Sequence, residues 1–326
     1  MTRCYGYLPL FDPRQGETVI EPLQAGVGWW AGAASALWDD EQQCFYLYYR
    51  LRKPRELGRG TDCRIARSTD GLHFQDVWGA TKEDLHAESV EKASLVKTPD
   101  GVYRLYMSFV TPADGKWRIS VMEARRPEEL SCASAVHVLG PEDIGAEGVK
   151  DPYVLAVGAG WYMIASYAPT PQVSAERAAR MHATGDVYNT GVTKSHTGLA
   201  VSSDGLKFHW LGDVMSPGEG LAASAGWDAY AARVSSVIHR PPLFVAFYDG
   251  SATVEENYEE KTGLAITWDL REYMRLTPDG PALTSPHASG SLRYLDAVEA
   301  PDGIHCYYEY ARPDGSHELR LSVIRP

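Results

Sequence analysis

The amino-acid sequence predicts an all-β fold, a five-bladed β-propeller, and three observations carry that prediction. An aromatic-rich strand recurs five times in 326 residues: FYLYYR from 45, YRLYMS from 103, WYMIAS from 161, LFVAFY from 243 and IHCYYE from 304. A run of smaller, more apolar residues precedes each copy: AGAASALW (31–38), EKASLVK (91–97), DPYVLAV (151–157), RVSSVIH (233–239) and RYLDAV (293–298). A third run follows each copy after a polar loop: RIARSTDGLHF (64–74), RISVMEA (118–124), GLAVSSDGLKF (198–208), GLAITWDLREY (263–273) and LRLSVI (319–324).

Each element has a physical reason. Short β-branched and aromatic runs bounded by Gly, Pro, Asp and Asn are the mark of strands and turns. Small side chains suit the innermost strand of a blade, where sheets converge on an axis. Asp-Gly pairs at Asp70-Gly71, Asp100-Gly101, Asp204-Gly205 and Asp302-Gly303 favour tight turns between strands. A β-sandwich would not repeat an ordered strand triplet five times. With a fourth outer strand per copy, five blades surround a central channel. The reading is one propeller domain over 1–326, with an insertion at about 171–195. That insertion holds a helix-like SAERAARMHA and then a polar loop, and serves either as a lid over the channel mouth or as a solvated decoration.

The composition narrows the function. The hydrophobic fraction of 44% is enough for a large core, and the charged fraction of 23% gives no sign of disorder. A net charge of -12 argues against nucleic acid or an anionic membrane as partner. The opening MTRCYGYLPLFDP lacks the apolar stretch of a secretory signal, and LFVAFY (243–248) is only strand-length. The five cysteines, Cys4, Cys44, Cys63, Cys132 and Cys306, are scattered without a CxxC pair. They read as buried thiols in a reduced, cytoplasmic protein.

The segment GVKDPYVLAVGAGWYMIASYAP (148–169) has an Asp-Pro opening an inner strand and a turn leading to an aromatic strand. EKASLVKTPDGVYRLYMS (91–108) has the same shape one blade earlier. In these features the chain resembles the five-bladed glycosidases: arabinanases and xylosidases, invertase-like enzymes and mannoside phosphorylases. The resemblance implies that Asp151 lines the central pocket, with Glu91 at the equivalent place. Such glycosidases carry an Asp on the first inner strand. Here GWWAGAASALW (28–38) has no carboxylate before Asp39, which lies with Asp40 at the far end of that strand.

In a propeller the starts of the inner strands meet at one end of the axis. That rule gathers Trp29, Trp30, Glu91 (with Glu88 nearby), Asp151, Asp228, Arg233, Arg293 and Asp296. The ends of the second strands add Arg50, Ser108, Ser166, Asp249 and Glu309. Carboxylates and guanidinium groups bind sugar hydroxyls, and indole faces pack on sugar rings. Glycoside cleavage needs an acid for the leaving oxygen and a base or nucleophile on the other ring face. The expected roles are Glu91 as general acid, Asp228 as base, and Asp151 as pKa modulator or hydroxyl anchor. Trp29, Trp30, Arg50, Arg233, Asp249, Arg293 and Glu309 are the expected substrate-binding residues.

The loop LRKPRELGRG (51–60) adds Arg52, Lys53, Arg55 and Arg59, a candidate phosphate or carboxylate site. YDGSATVEENYEEK (248–261) adds Tyr258, Glu259 and Glu260. His86, His182 and His196 lack metal-ligand spacing, and no GxSxG, P-loop or GxGxxG fingerprint occurs. No cofactor or metal is expected, and a small carbohydrate is the expected partner. Three readings follow: a hydrolase-like glycosidase, a phosphorylase of the same fold, and a non-catalytic carbohydrate-binding propeller.

Overall fold

The computed structural model describes residues 8–58 and 60–325. Its strands fall into five antiparallel blades. Blade I holds β2 (Trp30–Asp39), β3 (Cys44–Arg52), β4 (Asp62–Ser68) and β5 (Gln75–Thr81). Blade II holds β6 (Ser89–Lys97), β7 (Tyr103–Val110), β8 (Trp117–Ala124) and β9 (Val136–Leu139). Blade III is β10 (Ala146–Val157), β11 (Gly160–Pro169), β12 (His196–Ser202) and β13 (His209–Met215). Blade IV is β14 (Ala231–Arg240), β15 (Leu243–Ser251), β16 (Lys261–Thr267) and the short β17 (Met274–Arg275). Blade V is β18 (Leu292–Ala300), β19 (Gly303–Ala311) and β20 (His317–Ile324). Its outer strand is β1 (Glu17–Ile20), which pairs antiparallel with β20 from the other end of the chain. The outermost position of the last blade is therefore filled by the first strand.

The five small-residue runs form the inner strands, as their composition predicts. A continuous belt of hydrogen bonds joins them. Ser35 Oγ accepts from Leu95 N at 2.9 Å, and Ser94 Oγ accepts from Val154 N at 2.9 Å. Tyr153 donates to the Val237 carbonyl at 3.0 Å, and Ser236 donates to the Leu295 carbonyl at 2.8 Å. Asp296 completes the belt by accepting from Ala36 N at 2.5 Å. Asp296 is thus part of the scaffold. Burial raises its pKa to about 6.

Each blade-to-blade interface has its own apolar core, built from the aromatic strands. Tyr46, Tyr48 and Ile65 pack on Leu95 and Leu105 between blades I and II. Phe247 and Leu264 meet Leu292 and Leu295 between IV and V, while Tyr49 and Leu51 meet Tyr307 and Leu319 between I and V. Tyrosine hydroxyls add cross-blade bonds to the Asp-Gly turns: Tyr307 to the Gly71 carbonyl and Tyr106 to the Gly205 carbonyl, both at 2.7 Å.

The insertion after blade III's second strand is less helical than SAERAARMHA suggests. Within that stretch Ala175–Ala179 forms an α-helix, with Ser174 as its cap, and a 3-10 turn follows at Val187–Asn189. Beyond the helix, Met181, Val187 and Tyr188 pack on Val110, Trp117 and Ala168. Cys44, Cys63 and Cys306 are buried free thiols and Cys132 is half-buried; Cys4 lies outside the described residues. Among the described residues no helix is long and apolar enough to cross a membrane.

Candidate active site

Every inner strand carries a register shift near its start. Across blade I Gly32 faces Arg50 but Ser35 faces Tyr48; across blade II Val90 faces Phe109 but Ala93 faces Met107. Shifts also lie between Lys150 and Tyr153, Val234 and Ser236, and Arg293 and Asp296. These are β-bulges, which re-aim a side chain and tighten the local twist. Three of the bulged residues have left-handed backbones: Ala33 (φ 56°), Asp151 (φ 53°) and Tyr294 (φ 49°). That conformation is uncommon outside glycine and costs about 1–3 kcal/mol, so packing around the axis must hold it. By register, Glu91 takes the same place in blade II. The first blade thus presents the methyl of Ala33 where blades II and III present a Glu and an Asp.

These bulges lead into a buried chain of alternating charge that touches all five blades. Glu309 pairs with Arg293 (2.7 Å), and Arg293 with Glu260 (2.7 Å). Arg233 bridges Glu260 (2.6 Å) and Asp151 (3.8 Å). Lys150 lies between Asp151 (3.4 Å) and Glu91 (3.5 Å), and Glu91 ends the chain on Arg50. Tyr294 sits within it: its hydroxyl donates to Asp151 at 3.4 Å and its backbone N–H donates to Asp249 at 3.0 Å. Ser108 Oγ accepts from the Asp151 backbone N–H at 2.7 Å, fixing the bulge. On the next blade's second strand Ser166 bonds Ser195 instead, at 2.8 Å.

The electrostatics differ from residue to residue. Burial works against ionisation of Glu91, but Arg50 and Lys150 outweigh it and hold the carboxyl well below the usual range. Glu260 and Glu309 are likewise desolvated yet brought down to about 2, chiefly by Arg233 and Arg293 for the first and by Arg293 and His317 for the second. Asp249 goes the other way. Burial lifts it to about 7, against the pull of Arg233, because both of its oxygens face a backbone N–H rather than a bonded cation. His317 also loses solvation, but its bonds to Glu259 and Glu309 raise its pKa.

The aromatic part of the cluster stands at the start of β2. Trp30 stacks on His317 at 4.5 Å, and the guanidinium of Arg293 lies 4.8 Å over its ring. Trp29 is half-buried and enters only through its backbone, its carbonyl accepting from His317 N. Tyr258 covers this corner and is tied to the insertion through Asp186 and Asn189.

The structure brings together Glu91, Asp151, Trp30, Arg50, Arg233, Asp249, Arg293 and Glu309. It corrects two of the expected roles. Asp228 lies apart from them: its carboxylate pairs with Arg275 at 2.6 Å and accepts from Ser224. The residue that opens β14 toward the axis is Arg233, and Asp228 belongs to the preceding loop on the blade III side, beside Trp227 and Tyr248. Asp228, the expected base, therefore does not join the charge chain. Glu91, the expected general acid, is paired with two cations that favour its ionised form. Glu88 is exposed, and Arg59 lies outside the described residues. His182 bonds Glu147 and His196 bonds Asp213, each at hydrogen-bond distance. Sequence reasoning missed Lys150, Tyr294 and His317. Lys150 precedes Asp151 inside an otherwise apolar run, and such a charge was the available signal.

No family model and no curated relative matches this sequence. Solved structures do. The β-1,2-mannobiose phosphorylase from Listeria innocua, in complex with β-1,2-mannobiose, superposes with a TM-score of 0.62 at 15% identity, covering 94% of both chains. The RS223 β-xylosidase gives 0.66 at 12% identity, over 96% of this chain and 95% of the other. A thermostable family-43 glycoside hydrolase gives 0.65 at 13% identity, over 93% and 92%. At such identities the likeness speaks for architecture: this chain has the five-bladed propeller fold on which those glycosidases and phosphorylases are built.

Proposed function

We propose that the chain is a glycoside-hydrolase-like enzyme that cleaves a glycosidic bond in a small glycoside or oligosaccharide at the axial charge cluster. One observation carries the reading: Glu91 and Asp151, on neighbouring inner strands, bracket the single ammonium of Lys150. Their facing oxygens are thereby held close enough to act on one bond, for which paired carboxylates work at about 5–9.5 Å. The electrostatics favour a different role for Glu91 from the general acid that the sequence suggests. Glu91, kept ionised by Arg50 and Lys150, suits the base or nucleophile. Asp151 has an Oδ1 without a protein partner among the described residues, and that oxygen is left to meet the substrate. The architecture shared with the xylosidase and the mannobiose phosphorylase supports the same reading, and the buried free thiols suit a reducing, cytoplasmic setting.

The test is a screen of aryl glycosides and disaccharides, with and without phosphate, on the wild type, Asp151→Asn and Glu91→Gln. Asn tolerates the left-handed backbone at 151, so that variant keeps the fold. Turnover should fall by about 100-fold or more in either variant. Turnover that both variants retain would sink the assignment, and turnover that requires phosphate would make the enzyme a phosphorylase.

A further inference from the structure

The charge chain from Glu309 to Arg50 is balanced, four acids against four bases, and Arg52 stands outside it. Arg52 ends β3 two residues beyond Arg50, so its side chain rises on the same face of the blade. Its guanidinium lies 4.0 Å over the Trp30 ring and 4.6 Å over the Tyr258 ring. Among the described residues no carboxylate lies within ion-pair distance of it, and its side chain makes no hydrogen bond. It is 7% exposed, against 2% for Arg50 and 1% for Arg293, so it is the guanidinium of the cluster nearest to solvent.

Its surroundings hold unpartnered polar atoms of both kinds, the acceptors Asp151 Oδ1 and Glu309 Oε2 and several donors. Arg50 Nε and Nη2, Arg293 Nη2 and Arg233 Nε are buried donors without a hydrogen-bond partner among the described residues. Burial first, and then repulsion from Arg50, brings the Arg52 pKa down to about 10, the mark of a cation placed among cations. A buried, unpaired guanidinium is costly to keep in a structure of its own accord. Arg52 therefore has two aromatic faces but no carboxylate of its own, and its guanidinium is left to pair with an acceptor from outside.

We propose that Arg52 receives the carboxylate of an acidic sugar, so that the substrate is a uronic-acid glycoside. This rests on the glycosidase reading above and adds its substrate class. The planar guanidinium matches a carboxylate with two parallel N–H bonds, and the Trp30 and Tyr258 rings fix its plane while a sugar ring packs alongside. Cleavage at Glu91 and Asp151 would proceed on the same ring, the carboxylate serving to orient it.

The experiment is a pair of calorimetric titrations on the intact chain: glucuronate against glucose and galacturonate against galactose, with inorganic phosphate as a third arm. Each is run on the wild type, Arg52→Gln and Arg52→Lys. The wild type should prefer at least one uronate over its neutral partner, and Arg52→Gln should erode that preference by about 100-fold, since truncating one side of a desolvated charge pair is that costly. Arg52→Lys should fall between, keeping the charge without the fork. Circular dichroism melts of the variants establish that they fold. No preference for either uronate, or a preference untouched in both variants, overturns the inference. Tight phosphate in place of uronate overturns it too. Binding is read without turnover, so uronate recognition with no glycoside cleavage would retain this inference and remove the enzymatic one. Cleavage of neutral glycosides alone would do the reverse.

Discussion

At the scale of single residues, Asp249 is the carboxyl whose ionisation the fold resists. Its pKa stands at about 7 in the folded chain, against an ordinary value of 3.8, because it is buried and only a backbone N–H attends its oxygens. The folded state therefore holds the proton more tightly than the unfolded one. The stability this confers is complete below the unfolded pKa and is lost as pH rises through about 7. Asp249→Asn imitates the protonated group at every pH. Its melting temperature should match wild type near pH 4 and exceed it at pH 8, a difference on the order of a few kcal/mol. A gap that stays constant across that range would refute the assignment. The axis residues were legible in the sequence wherever an acid or base opened an inner strand, as with Glu91, Arg233 and Arg293. Asp228 deceived because it lies only five residues before Arg233, and a loop of that length can turn its carboxylate to either side of the sheet. Glycine carries information of a different kind: a Cβ at Gly32 would collide with the carboxylate of Glu309, so the methyl-free position admits the end of the charge chain.

At the scale of elements, the aromatic second strands and the small inner strands were readable because burial on two faces dictates their composition. The bulges were not. A shift of one residue leaves no mark on hydrophobic patterning, though it decides which side chain reaches the axis. β1 escaped notice for a related reason, being four residues long with no buried position. Its pairing with β20 is nevertheless what completes blade V. Deleting residues through Ile20 should strip β20 of its outer neighbour, lower the melting temperature and expose an unpaired edge that promotes association. Unchanged melting and unchanged monodispersity by light scattering would argue that the fifth blade stands without it.

At the scale of the molecule, function is concentrated where five sheets converge. The belt through Ser35, Ser94, Tyr153, Ser236 and Asp296 fixes the blades to one another, and the charge chain is strung across the same convergence. Glu260 is the member on which two bases depend, Arg233 and Arg293. Glu260→Gln should cost about 3–5 kcal/mol, the usual penalty for breaking a buried pair from one side. It should also lower turnover at Asp151, which Arg233 touches. Loss of stability without any kinetic effect would confine Glu260 to the scaffold. The sequence could name Glu260 only together with its neighbours, since four glutamates stand close together in that loop and only the fold selects one of them.

The union of the earliest and latest strands also bears on how the protein is made. On the ribosome, residues 17–20 emerge about 300 residues before their partner, 317–324. Throughout translation the growing chain carries a β-segment with nothing to bind, while four completed blades stand as an open arc whose end sheets are bare. The last step is a long-range closure, the kind that is slow and that leaves edges open to other nascent chains. A stalled product that stops before blade V would lack the landing place for residues 17–20, and quality control would meet it as an unclosed arc.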